Sequence, residues 1–389
     1  MSPKPEFLTF TVVSSIIAFS STLWLTLLPL YLDFKGFQPW EIGLSVSLVM
    51  NLSFLLAFLS GYIVDLLDWR KSIMLAILLL FIATSLLPFI NVFIEFLIIA
   101  FLVGFSTSLV TQSSVKILVR FSIKGRGFLY SSYMLLSNIS RIIASYASGF
   151  IAIIYGYTTL FMISVVALLP SIGVIFLSSK RQPYPEVSQR TSMSDVIKLY
   201  LKDTRLKILI IALILHDFSV FIAVPYLALY AKYTIGLDEA GIGILSGSNN
   251  VTQLIFQLMS GLLADKIGGS LTLAIHFLTV SCSYVIYSTI RDFIGALLVY
   301  IFMGFSVTLD MPARRLLITK YAPEESVAAI NGLADTIVGV GTMFSAVIGG
   351  YLWEINPSLP ILIAGLANLS TLPFILYLRY RKIKQESTK

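Results

Sequence analysis

Charge is scarce in this chain. Asp, Glu, Lys and Arg make up 12% of its 389 residues, against about 25% in a soluble domain. Cysteine and histidine are scarcer still, with Cys282, His216 and His276 the only examples. A single Cys excludes an intramolecular disulfide, and two His isolated in sequence leave little for a metal centre, so no cofactor is expected. There is no GxxxxGK[ST] phosphate loop, so ATP-driven work is not encoded here. HExxH, CxxC and GxSxG are missing too, which speaks against an enzyme. Low-complexity tracts are absent, and no tail is large enough to fold alone.

Apolar residues fill the space that charge leaves. They make up 57% of the chain, and mean hydropathy is +0.90. That much apolar surface cannot be hidden in one water-soluble core, so the solvent is lipid. A span needs about 20 mostly apolar residues. Twelve such segments occur, at 8–32, 41–64, 72–90, 94–119, 127–154, 157–178, 206–230, 240–263, 271–289, 293–319, 328–352 and 358–378. All are predicted to be helices, because lipid offers no partner to backbone N–H and C=O groups. MSPKPEF runs into the first span with no small-residue cleavage site, so that span is expected to be retained.

The net charge of +7 would point to nucleic acid in a soluble protein. Here its placement matters more. Of the Lys and Arg residues, Lys35, Lys232 and Arg291 fall on one side of the spans, Arg141 falls inside one, and all others fall on the opposite side. Cationic loops stay in the cytoplasm. The expectation is a multi-pass cell-membrane protein with both termini cytoplasmic, partnered by lipid and not by nucleic acid.

A repeat organises the spans. Gly36/Gly236, Gly43/Gly243, Gly61/Gly261, Asp65/Asp265, Gly104/Gly304 and Gly149/Gly349 all recur at one offset of 200 residues. Five Gly–Gly matches stand against roughly half of one expected by chance. The fold class follows: an all-α membrane protein, its twelve transmembrane helices forming two six-helix bundles related by a pseudo-two-fold axis. The predicted units are a bundle over 1–179, a cytoplasmic loop over 180–205 and a second bundle over 206–389. The loop carries KRQPYPEVSQR and then SMSDVIKLYLKDTRLK, which reads either as a short helix on the inner leaflet or as a solvated tether.

The repeated loop carries the clearest motif: GYIVDLLDWRK from Gly61 and GLLADKIGGS from Gly261. Six plus six spans and this loop resemble the major facilitator superfamily of secondary transporters, whose signature is Gly-x-x-x-Asp-(Arg/Lys)-x-Gly-Arg-(Arg/Lys). Gly61, Asp65, Arg70 and Lys71 match its ends. Leu66 departs from it, and the stretch after Asp65 reads as one residue longer. Gly261, Asp265, Lys266 and Gly268 match in the second copy. The end of the tenth span, Asp310-Met-Pro-Ala-Arg314-Arg315, is also similar to members of that family. The resemblance covers the whole chain. It implies gradient-driven movement of a small molecule by alternating access, in a chain for which a monomer suffices.

The loop motif has its own physics. An Asp at the end of one helix can sit against the N–H groups that open another. Asp65 is expected to face the start of the eleventh span, and Asp265 the start of the fifth, as a latch that forms in one conformation and breaks in another.

Ionisable groups at bilayer depth are costly, so each is a functional candidate. Arg141 lies about 21 Å along the fifth span, on a face shared with Ser137, Asn138, Ser145 and Ser148. It is read either as a ligand for an anionic substrate group or as half of a buried ion pair. Asp217, midway along the seventh span, is the candidate proton carrier, with a fixed pair to Arg141 as the alternative. His216 points away from it and His276 lies on a peripheral span, so both are read as structural. Asp310, Arg314 and Asp335 are read as an inner-gate network. Gln112, Asn249, Asn250 and Gln253 are read as cavity lining, with Gln257 on the same i+4 row as Asn249 and Gln253. The functional reading is proton-coupled export of an amphipathic organic compound. Uptake of an organic anion and a transport-inactive sensor are the alternatives.

Overall fold

The computed structural model describes residues 5–121, 126–177, 203–321 and 327–387. Every element among them is helical. The first half comprises α1 (Pro5–Leu25, continued by Leu28–Phe34), α2 (Pro39–Leu55 with Ala57–Leu67), α3 (Trp69–Leu86), α4 (Phe93–Phe121), and α5 and α6, which share the helix Arg126–Leu177 and part at Gly156 (φ 80°, ψ 167°). The second half comprises α7 (Thr204–Ala223, continuing to Ile235), α8 (Glu239–Ile267), α9 (Gly269–Tyr287) and α10 (Phe293–Thr308 with Asp310–Tyr321). It closes with α11 (Val327–Thr342 with Ser345–Ile355) and α12 (Leu359–Asn368, continuing as Leu372–Ser387).

Nine helices among the described residues are long and apolar enough to cross a bilayer, ten with the pair in α2 that bends by 52°. One of the nine holds both α5 and α6. The remaining pass is α8, whose 29 residues are ample for a core of about 30 Å. Its amides and glycines are what lower its hydropathy. Counted so, the helices among the described residues fit the twelve passes expected from the sequence.

The repeat is visible in the backbone. Pro39 and Glu239, Trp69 and Gly269, and Phe93 and Phe293 open equivalent helices at the 200-residue offset. Gly36 and Gly236 close the preceding turns at φ 82° and 83°. Asp68 (φ 71°, ψ 148°) and Gly268 (φ 86°, ψ 147°) share one conformation at the next turn. The two loops are therefore in register, and the extra residue expected after Asp65 is not there. Asp68 simply occupies the position that Gly268 fills in the second copy.

The predicted central loop, 180–205, lies outside the described residues except for 203–205. Within its expected amphipathic stretch, Thr204 already opens α7. The Asp203 carboxylate caps that helix by accepting from Arg205 N–H at 2.7 Å.

The halves meet where α2 packs on α11 and α5 on α8. Tyr226 donates to Pro39 O (3.0 Å), Ser47 to Met343 O (2.7 Å), Tyr157 to Glu239 (3.0 Å), and Tyr233 to Asp33. All lie at or toward the end remote from the termini. Backbone contact there is close: a Cβ at Gly149 would stand 2.2 Å from Glu239 O, and one at Gly43 2.5 Å from Ala346 O. Toward the termini the closest approaches are Asn138 to Gln257 (2.9 Å) and Phe54 beside Gly339. The described hydrogen bonds between the halves thus concentrate at the end remote from the termini.

Candidate functional site

The densest polar cluster lies inside the second half. Arg314 on α10 is buried, 7% exposed. Its guanidinium makes two forks. Nη1 and Nη2 donate to Asp217 Oδ2 and Oδ1 on α7, at 3.0 and 3.1 Å. Nε and Nη2 donate to Asp310 Oδ1 and Oδ2 one turn earlier, at 3.1 and 2.9 Å. The planar fork of Arg suits such bidentate bonding. The i,i+4 spacing of Asp310 and Arg314 sets the second fork, and the packing of α7 on α10 sets the first.

This placement corrects two expectations. Asp217 pairs with Arg314, not with Arg141. Asp335 does not join Arg314 either: it accepts from Arg315 Nη2 at 2.7 Å, while Arg315 Nη1 donates to Asn331 at 2.6 Å. Neighbouring residues on a helix point about 100° apart. Arg314 therefore reaches α7, and Arg315 reaches α11.

The two His residues are joined to each other and to neighbouring helices. His216 and His276 are both 3% exposed, and their Nε2 atoms stand 3.0 Å apart. His216 Nδ1 lies 2.8 Å from Asn368 Oδ1 on α12, and His276 Nδ1 lies 2.7 Å from Ser306 O on α10. His216 Nε2 is 3.7 Å from Asp217 Oδ1. Sequence alone gave no spacing that joins residues 60 positions apart on different helices. The one available signal was that both histidines of the chain fall in apolar helices.

Arg141 stands apart from this cluster. It is exposed and has no ion-pair partner among the described residues. Its face nonetheless points inward. Asn138, one turn earlier, donates to Gln257 of α8. Ser145, one turn later, accepts from Asn250 of α8 at 2.9 Å and lies 3.4 Å from Thr26 of α1. Arg141 therefore lies on the surface between the halves. The acidic partner expected for it is not found.

The amides divide by function. Asn250 and Gln257 bond across to α5. Asn249 donates to Tyr300 O of α10 at 2.8 Å, and Gln253 donates to Asn249 at 2.7 Å. The bond to Tyr300 O joins α8 to α10 within the second half, as helix-to-helix glue. Gln112 on α4 is half-buried and lies beside Gly61, whose Cβ would stand 4.0 Å from its Oε1.

The loop motif makes contacts within its own half. Asp65 Oδ1 lies 3.4 Å from Lys116 Nζ of α4, and Arg70 Nη2 lies 2.9 Å from Glu6 of α1. Asp265 is exposed, and nothing lies within 4 Å of a Cβ at Gly261. The side chains at the starts of α5 and α11, the expected partners of Asp265 and Asp65, lie outside the described residues. Nearby, the Asp203 carboxyl is held below its ordinary value by its hydrogen bonds to Arg205.

A twelve-pass helical bundle of two halves, with a cleft between them and a buried charge cluster in one, is the architecture of a membrane transporter and not of an enzyme. The comparisons with known proteins agree. The sequence pattern of the Major Facilitator Superfamily matches residues 8–232 and 209–389, and the chain belongs to that superfamily. Quinolone resistance protein NorA of Staphylococcus aureus (strain N315) is 28% identical over 155 residues, 40% of this chain and 39% of that protein. Multidrug resistance protein 2 of Bacillus subtilis (strain 168) is 24% identical over 231 residues, 58% of this chain and 57% of that protein. The chain thus matches 39% and 57% of the length of these relatives. Among solved structures, a POT family transporter in complex with a thioalcohol-conjugated peptide superimposes at a TM-score of 0.78 with 13% identity, covering 97% of this chain and 96% of that one. A peptide transporter POT in complex with sulfate gives 0.77 with 15% identity, covering 98% and 95%. At such identities the likeness speaks for the fold alone.

Proposed function

We propose that the protein exports an amphipathic organic compound from the cytoplasm in exchange for protons, by alternating access of its two halves. The observation that carries this is the pair of carboxylates, Asp217 and Asp310, that share the single guanidinium of Arg314. Two anions against one cation in a buried site leave room for a proton, and a site that binds and releases one is what coupling needs. The bias of Lys and Arg supports cytoplasmic termini. On that orientation the tightly packed end faces outward, and the end with the loop motifs faces the cytoplasm, where an exporter loads. The names of these relatives, resistance to quinolones and to multiple drugs, support export over uptake. Asp65, Asp265 and Arg70 serve as the gate at that end.

The test is flux in proteoliposomes under an imposed pH gradient. Export of a lipophilic dye is expected to drive proton counterflow that Asp217→Asn removes. Dye movement that ignores the gradient in the unaltered protein would refute the coupling. A second reading rests on Arg141, a cation on the inter-half surface with no carboxylate beside it: uptake of an organic anion held by its guanidinium. On that reading Arg141→Ala abolishes binding of carboxylated compounds and spares neutral ones.

A further inference from the structure

The hydrogen-bond inventory around the two histidines does not close with neutral rings. Asn368 Nδ2 stands 3.0 Å from Phe277 O and 3.1 Å from Ser281 Oγ. The Phe277 carbonyl can only accept, so the nearby amide atom must be the NH2 group, and Oδ1 is the atom that faces His216. That oxygen can only accept in turn, so His216 Nδ1 carries a hydrogen and donates. Ser306 O accepts in the same way, so His276 Nδ1 also donates. A neutral imidazole has one N–H. Two neutral rings would then bring two bare Nε2 lone pairs to 3.0 Å from each other, a hydrogen-bond distance with no hydrogen in it.

We propose that His216 and His276 form a proton-binding site, holding one proton between their Nε2 atoms as a shared, singly charged pair. The charge count is compatible with the same arrangement. Asp217 and Asp310 carry two negative charges, and Arg314 carries one positive charge. His216 Nε2 lies 3.7 Å from Asp217 Oδ1, so a proton on the pair makes the cluster neutral. Dehydration of the rings opposes a charge there, and the carboxylate left without its own cation favours it. The groups that face the pair are Asp217 from α7, Asp310 and Arg314 from α10, the Asn368 amide from α12 and the stacked Phe277 ring from α9. No second cation is among them.

The role of this site in transport rests on the proton-coupled reading above: the shared proton would pass to Asp217 when Arg314 lets go of it. The existence of the site does not rest on that reading. The chain has only two histidines, so histidine labelled with 15N reports on this pair alone, provided the affinity tag contains none. In full-length protein in lipid nanodiscs at neutral pH, three ring N–H groups are expected over the four nitrogens: both Nδ1–H and one Nε2–H coupled to both Nε2 atoms. Asp217→Asn is expected to reduce the count to two, because the carboxylate that balances the extra proton is gone. A count of two in the unaltered protein, with one Nδ1 bare, overturns the proposal whether or not transport is proton-coupled. Because this measurement needs no flux, loss of gradient-driven counterflow would refute the coupling alone and leave the shared proton standing.

Discussion

If Arg314 and Asp217 act as one unit, their removal cannot be additive. Arg314→Leu strips four hydrogen bonds and leaves two half-buried carboxylates without a cation, a change that costs up to about 3–5 kcal/mol, the range for fully buried pairs. Asp217→Asn leaves Arg314 paired with Asp310. It weakens two charge-assisted bonds, one of which Asn cannot accept, at about 1.5–3 kcal/mol. Independent effects would sum to about 4.5–8 kcal/mol. The double variant should instead cost no more than Arg314→Leu alone, because the second carboxylate that made the first loss so severe has been neutralised. The interaction energy is then about 1.5–3 kcal/mol. Unfolding free energies of the four proteins, titrated with SDS from mixed micelles, measure it. Arg315→Leu combined with Asp217→Asn is the control, since Arg315 bonds to Asn331 and Asp335 instead. Additivity of the Arg314 pair to within about 0.5 kcal/mol, as for the control, would refute the account of the cluster.

Other consequences concern the closed end and the turns. A Cβ at Gly43 would stand 2.1 Å from Tyr226 Oη and 2.5 Å from Ala346 O, so Gly43→Val should wedge that end open. The yield of cross-linking by a bifunctional maleimide between cysteines placed at Asp33 and Tyr233, in a Cys282→Ser background, should fall, and an unchanged yield counts against the packing described. Asp68 adopts a conformation that glycine favours (φ 71°, ψ 148°) at a cost of about 1–3 kcal/mol. The Asp203 carboxyl sits below its ordinary 3.8, so its support of the α7 start is present above that value and is lost as pH falls through the lower folded one. Amide exchange at Arg205–Lys207 should accelerate in acid, and Asp203→Asn should flatten that dependence.

Much of this molecule was legible because lipid permits so few structures. Span lengths and backbone self-sufficiency fix helices, and the 200-residue echo fixes their pairing into halves. The turn at Asp68 was misjudged because sequence comparison weighs side chains. Only the backbone shows that Asp68 and Gly268 take the same path. Arg314 and Asp335 were assigned to one network because both are charged and lie near the same end, yet one step of 100° between Arg314 and Arg315 sends them to different helices. The partnership of the histidines cannot be read from sequence because it depends on four helices meeting. Intramembrane charge marked the right residues, and only packing could say which of them touch.

The two copies have diverged where the chemistry lies. At the 200-residue offset, His216, Asp217, His276, Asp310, Arg314 and Asn368 correspond to Ile16, Ile17, Ala76, Val110, Ser114 and Leu168. Ile17, Ala76 and Leu168 are buried core in the first half, so the same backbone there is held by apolar packing. Arg141, conversely, corresponds to Gly341. One half thus offers, at the inter-half surface, a cation with no ion-pair partner among the described residues, and the other a network of fixed charges. On the proposed mechanism, a group that must stay solvated for a ligand and a network that must exchange protons without leaking them make opposite demands on burial. Placing them in different halves would let each keep its own environment while the halves rock. Moving the network into the first half would require replacing several buried apolar residues together, because any one charge introduced alone would be stranded in a core with no partner.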